Sequence, residues 1–260
     1  MSIRRFNVIL ILAIVATALC FTGITKAQFV TDGLVSYWPL DSMSGDTISD
    51  VVGGNDGTIS GDPQIVTGKI GNAMEFDGDG DFVNCGNDAS LNLTDGVTIE
   101  LWMNPVVAGE GGPNVGPACK AESGVSPWSW QLRYNAPGGF MGFQFNADPG
   151  GSTWISVQEN LSPGQWYHIV GTLDGSDIVC YLNGVEKERA AMTAISGGDS
   201  SFFIAQDGWA NAFNGMVDEI RIYNRALSAA EVMQNFSVDP TAVLPMSKLS
   251  ITWGEIKLEK

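Results

Sequence analysis

Three aspartates, Asp77, Asp79 and Asp81, alternate with glycines in the stretch EFDGDGDF at residues 75–82. Clustered carboxylates chelate a cation, work as an acid–base pair, or turn the chain in water. A helix–loop–helix calcium loop needs glycine at its sixth position and glutamate at its twelfth. Counted from Asp77, those positions hold Phe82 and Asp88. A glycosidase needs two carboxylates held rigidly across a sugar, and a glycine-rich tip holds none rigidly. A turn fits better: Gly78 and Gly80 supply positive φ, and Asp79 and Asp81 are expected in water. Asp77 stands apart, at the strand end rather than the tip.

The second candidate lies in NGMVDEIRIYNRALSAAEV at residues 214–232. With a period of two, Asp218 shares a face with Ile220 and Ile222, opposite Val217, Glu219, Arg221 and Tyr223. If the isoleucines are core, Asp218 starts at a core edge, where a carboxylate must be hydrogen-bonded, ion-paired or bound to metal. Glu219 then points away from Asp218, so the two do not form a paired acid. The single histidine, His168, alternates with Trp166 and Val170 and is expected on a sheet face or in the core. One histidine and no CxxC pair argue against a zinc site of the usual Cys/His kind. For ligands other than ions, Trp128 in GVSPWSW and Trp209 in AQDGWANAF lie in loop-like sequence, with Asp207 and Asn211 flanking Trp209. A ring beside fixed polar groups suits sugar stacking; a tryptophan closing a loop over the core fits the same pattern.

These residues need a scaffold of strands. Val97, Ile99, Leu101 and Met103 alternate with Thr98, Glu100 and Asn104; WYHIVGTLDG and DIVCYLNG repeat the pattern, and Leu34, Ser36, Trp38 and Leu40 share a face of a first strand. Asn183-Gly184 predicts a two-residue hairpin. Ser228 and Glu231 have capping-box spacing, predicting a short helix that ends before Ser237. The expectation is all-β, a two-sheet antiparallel sandwich with one short C-terminal helix.

The chain opens with Arg4 and Arg5, an apolar run from Val8 to Phe21, and small residues at Thr25 and Ala27. That is the plan of a signal peptide over residues 1–27, with the sandwich at 28–236 and a linker and tail at 237–260. The leader removes three of the 13 basic residues and none of the 29 acidic ones. Such acidity argues against nucleic acid and anionic membrane surfaces, and no stable membrane span is expected after cleavage. Cys85, Cys119 and Cys180 remain, an odd number that fixes no pairing.

The blocks GLVSYWPLD, AMEFDGDGDFVNCGN, VTIELWM, GQWYHIVGTLDGSDIVCYLNG and FNGMVDEIRIYNRALSAAEV, in this order, resemble laminin-G-like jelly-roll domains of the concanavalin A-like lectin/glucanase superfamily. The resemblance spans about Gly33 to Phe236. It implies two large antiparallel sheets and a calcium ion held by Asp41, Asp77 with the Gly78 carbonyl, and Asp218. It also implies a secreted or cell-surface module, non-catalytic and lectin-like, for an extracellular glycan or protein. The Glu-x-Asp-x-x-Glu strand of the family's glycosidases is missing. The alternatives are a polysaccharide-degrading glycosidase or lyase on the same fold, or a purely structural surface domain.

Overall fold

The computed structural model describes residues 28–106, 115–121, 129–134, 143–144, 155, 157, 159, 161–192, 198–207 and 212–238. Among the described residues, fifteen strands and one α-helix follow in chain order, with one 3-10 turn at Ala89–Leu91: β1 (Leu34–Trp38), β2 (Thr47–Ile48), β3 (Gly57–Ser60), β4 (Gln64–Thr67), β5 (Asn72–Asp77), β6 (Phe82–Asn84), β7 (Val97–Pro105), β8 (Val115–Lys120), β9 (Trp130–Tyr134), β10 (Phe143–Gln144), β11 (Tyr167–Leu173), β12 (Asp177–Leu182), β13 (Val185–Ala191), β14 (Phe202–Ile204), β15 (Asn214–Tyr223) and α1 (Ala229–Phe236). They form two antiparallel sheets of a jelly-roll sandwich. The first runs β13-β12-β11-β7-β15-β5-β4, with β1 also on β15; the second runs β10-β9-β8-β14-β6-β3-β2.

The two sheets bury one main core, with Trp38, Phe76, Leu101, Trp130, Phe202 and Ile222 at its centre. The expected hairpin joins β12 to β13, with Asn183 at φ 51° and Gly184 at φ 78°. The capping box is also present: the Ser228 side chain accepts from the Glu231 amide while Glu231 accepts from the Ser228 amide.

Alternation of the kind seen in residues 97–104 marks strands with one face in water, and here the structure differs. All nine residues of β7 are buried. Val97, Ile99, Leu101 and Met103 face the main core, and the other side of the sheet is roofed by α1 and residues 28–30. Val232 and Leu227 pack there with Val30, Val170, Val179, Tyr181 and Tyr223 in a second apolar cluster. A strand covered on both sides cannot be told by alternation alone, because a roof made by a remote helix leaves no local mark.

The face assigned to Asp218 also changes. Along its far edge β15 pairs first with β5, ending at Val217↔Met74, and then with β1, starting at Ile220↔Trp38. Asp218 and Glu219 sit where one partner gives way to the other. On the near edge the register slips between Asp218↔Trp102 and Arg221↔Glu100. Glu219 has φ 56°, so the strand bulges and period-two alternation is lost. Val217 now joins Ile220 and Ile222 in the core, while Asp218 shares the roofed face with its partner Trp102. A bulge in β1 between Leu34 and Ser36 likewise turns Leu34 to the roofed face, away from Ser36 and Trp38.

Candidate functional site

Four polar places in the fold hold groups able to do chemistry. The first is the change of partner on β15. Asp218 is fully buried. Its Oδ2 accepts from the Lys69 and Ile70 amides, each at 2.9 Å, while its Oδ1 has no hydrogen-bond partner. Asp41, after β1, contacts the same turn between β4 and β5, its Oδ1 accepting from the Asn72 amide at 2.7 Å. The loop is glycine-dependent: a Cβ on Gly71, at φ 68°, would lie 2.4 Å from Asp41 Oδ1. Burial, then the Glu219 charge, with Asp41 adding a smaller repulsion, pushes the Asp218 carboxyl up to about 8, against the pull of the two amides. A carboxyl with a raised folded pKa gives stability that is complete below its unfolded value, near 4, and is lost as pH rises through about 8. With cations chelated, Asp218→Asn is therefore expected to flatten part of the stability loss between pH 4 and pH 8. Urea unfolding of wild type and variant across that range checks it; parallel curves would show that Asp218 keeps its charge without cost.

The second place is the DGDGD corner. Asp62, Asp77 and Asp81 bring carboxylate oxygens within 4.8 Å of one another. Gly78 and Gly80 have φ 82° and 83°, as a tight turn needs. Asp81 is not in water as expected but buried, with its Oδ1 accepting from the Asp62 amide at 2.8 Å and its Oδ2 from the Asp77 amide at 3.3 Å. Asp79 does stay exposed, and its amide donates to Asp77 Oδ1 at 2.7 Å. A groove of about 470 Å³ opens here, lined by Gln64, Glu75 and Asn214 besides the three acids.

The four residues expected to share one ion therefore fall into two groups. Asp77 pairs with Asn214, and Asp218 lies four residues further along β15, roughly 13 Å away at the rise of a strand. Asp77 and Gly78 stand at one end of β5; Asp41 and Asp218 stand at the other. Sequence reasoning missed Asp62, which precedes β4 and carries no signal other than an acidic residue after Gly61.

The third place is a charged network under α1. Glu100, fully buried, accepts from Arg221 Nη1 at 3.0 Å, from Asn235 Nδ2 at 2.9 Å and from Tyr223 Oη at 3.2 Å. His168 Nε2 lies 3.5 Å from the other carboxylate oxygen, and the ring packs against Trp102 and Phe236. Burial alone would raise the Glu100 carboxyl; His168, Arg221 and Asn235 together hold it down to about 2. Glu219 pairs with Arg221 and accepts from Tyr37 Oη at 2.7 Å. Its carboxyl is nonetheless raised, because burial outweighs that pairing. The Arg221 guanidinium lies over the Phe29 ring at 4.2 Å and the Tyr37 ring at 4.5 Å. The network ties roof to sheet, and its charged groups are buried. His168 is buried on the roofed sheet face, one of the two places expected for it.

The fourth place is the outer face of the second sheet. Residues opposed across antiparallel strands share a face. Thr58, Asn84, Phe203, Cys119 and Gln131 form one such transverse row, while their neighbours Val83, Ile204, Ala118 and Leu132 face the core. At the open end of the row a groove of about 580 Å³ is lined by Asp56, Thr58, Ser60, Phe82 and Asn84. The Phe82 ring is half-buried and meets Phe203 edge to face at 6.1 Å. Asp207 follows β14 on this sheet and is buried, with its charge felt by Arg133. Trp128, Trp209 and Asn211 lie outside the described residues. Cys85, Cys119 and Cys180 are all buried, and no disulfide joins them, which answers the pairing question left by the sequence.

The model of the concanavalin A-like lectin/glucanases superfamily matches residues 77–233. No curated protein matches the chain. Solved structures share the fold at low identity. The binding domain of Paraclostridial Mosquitocidal Protein 1 aligns with TM-score 0.63 at 19% identity, over 79% of this chain and 52% of that one. Domain 4 of AbnA, a GH43 extracellular arabinanase from Geobacillus stearothermophilus, solved with arabinotriose, gives 0.57 at 20%, over 79% and 98%. Trypanosoma rangeli sialidase gives 0.59 at 18%, over 82% of this chain and 34% of that enzyme. The chain thus spans about half of the first of these, nearly all of the arabinanase domain and a third of the sialidase.

Proposed function

Because this chain belongs to the concanavalin A-like lectin/glucanase superfamily, we propose that it is an exported, non-catalytic module that binds extracellular carbohydrate and holds calcium. The observation that carries the reading is the open groove on the second sheet. Phe82 offers an apolar ring face, and Asp56, Thr58, Ser60 and Asn84 surround it with acceptors, hydroxyls and an amide. That mixture suits a sugar, whose C–H face stacks on a ring while its hydroxyls take hydrogen bonds. Two neighbours lend support of a general kind: one is a binding domain, and the other was solved with arabinotriose. The non-catalytic part rests on the burial of Glu100, Glu219 and His168.

Calcium fits the DGDGD corner best. Calcium–oxygen distances of 2.3–2.6 Å put two ligands of one ion at most about 5 Å apart, and Asp62, Asp77 and Asp81 meet that limit. Each carboxylate oxygen that already accepts one amide keeps a second lone pair for a cation. A second reading, with the ion beside Asp41 and Asp218, is favoured by the unpartnered Asp218 Oδ1.

A glycan array, followed by calorimetry with arabinotriose and each retained oligosaccharide, tests the binding reading. Phe82→Ala and Asn84→Ala are each expected to weaken binding about tenfold, the equivalent of ~1.4 kcal/mol. Trp209→Ala, run alongside, separates the groove from the loop singled out by sequence. Wild-type protein that retains no glycan, or that releases reducing sugar, would sink the reading.

A further inference from the structure

We propose that the exported chain starts at Gln28 and that Gln28 closes on itself to a pyroglutamyl ring, leaving an uncharged, blocked amino terminus. The inference rests on the export reading above and is independent of the carbohydrate reading. Two observations meet at this residue. Thr25 and Ala27 are the small residues that a leader peptidase recognises, which places the cut before Gln28. The fold also takes hold of the chain at that point. The Gln28 carbonyl accepts from Gln234 Nε2 at 2.7 Å. The Val30 amide donates to Asn235 Oδ1 at 2.7 Å, and the Val30 carbonyl accepts from Tyr223 Oη at 3.0 Å. Phe29 packs edge to face on Tyr37, with ring centres 5.3 Å apart.

Gln28 itself is exposed, and among the described residues only its carbonyl is hydrogen-bonded. Its α-nitrogen and its carboxamide are therefore both available. The new α-amine attacks Cδ of its own side chain, a C–N bond forms, and the tetrahedral carbon expels the amide nitrogen as ammonia. The proton lost by the amine leaves with that ammonia, so atoms and charge balance without a co-reactant. Every reacting atom belongs to Gln28, and the five-membered ring does not involve the tethered carbonyl. A free α-amine titrates near 8, so roughly a tenth is neutral and nucleophilic at pH 7. Closure removes that titrating amine and the end on which an aminopeptidase acts.

The test is intact-mass measurement and stepwise amino-terminal sequencing of the full chain expressed in a secreting bacterial host. The expected exported product has the mass of residues 28–260 less one ammonia and resists sequencing. Gln28→Ala is expected to start at the same position, with the plain mass, and to be sequenced readily from its first residue. An exported chain that starts at Gln28 with a free amine overturns the ring and leaves the export reading standing. A start at another residue also overturns it. A product that keeps residues 1–27 removes the export reading and the ring together.

Discussion

Arg221→Met is expected to cost about 3–5 kcal/mol or more, the usual penalty for breaking a buried ion pair by removing one partner. Arg221 is the cation between two buried carboxylates, Glu100 and Glu219, and its loss leaves both unbalanced in a dry site. At 2–4 °C per kcal/mol for a domain of this size, the melting midpoint should fall by ~10 °C. The pH dependence is more diagnostic than the size. In wild type the Glu100 carboxyl is held down to about 2, so its contribution is complete above its unfolded value, near 4, and is lost as pH falls towards 2. In Arg221→Met the same carboxyls are raised by burial, so stability should increase on acidification from pH 7 to about pH 5. Over that window the Glu100 contribution of wild type is flat, so the expected result from urea unfolding is a steeper gain on acidification in the variant than in wild type. A loss under about 1 kcal/mol with parallel slopes would mean that water reaches the network.

Calcium is expected to raise the melting midpoint and chelator to lower it. An ion that binds only the folded chain stabilises by about 2.7 kcal/mol at a hundredfold excess over Kd, or ~8 °C here. Asp62 precedes β4, whereas Asp77 ends β5 and Asp81 follows it, so the unfolded chain does not assemble the site. Asp77→Asn should abolish most of the response. Asp79→Asn should keep it, because that side chain is outside the cluster. Asp218→Asn should also keep it. Loss in Asp218→Asn with retention in Asp77→Asn would move the ion to the change of partner on β15. A wild type indifferent to calcium and chelator would remove calcium from the proposed function.

The regular parts of this fold were legible because their signals are local. Alternation in β7, β11 and β12, the Asn183-Gly184 turn and the Ser228–Glu231 box each lie within a few residues and each appear in the structure. The site was less legible because it depends on what meets across the chain. The bulge at Glu219 carries no glycine to announce it, yet it reverses the face of Asp218. Glu100 alternates like a solvent-facing residue and is buried by a helix about 130 residues later. Asp81 looked like a turn-tip residue because nothing nearby in sequence shows that the Asp62 amide covers it. A resemblance carried over residue by residue preserved Asp41, Asp77 and Asp218 as individuals, but not the distance between them.

The hold of Asn235 on Val30 has a mechanical consequence. The two ends of the sandwich meet side by side on the roofed face, so the first residues of the domain are clipped to its last element. Tension applied between residues 28 and 238 pulls residues 28–30 away from α1 by unzipping, one bond at a time, rather than by shearing the sheets. The first element to yield is then the roof. Its peeling would wet Glu100 and Arg221 while the groove on the opposite sheet, outside the line of force, keeps its shape under load.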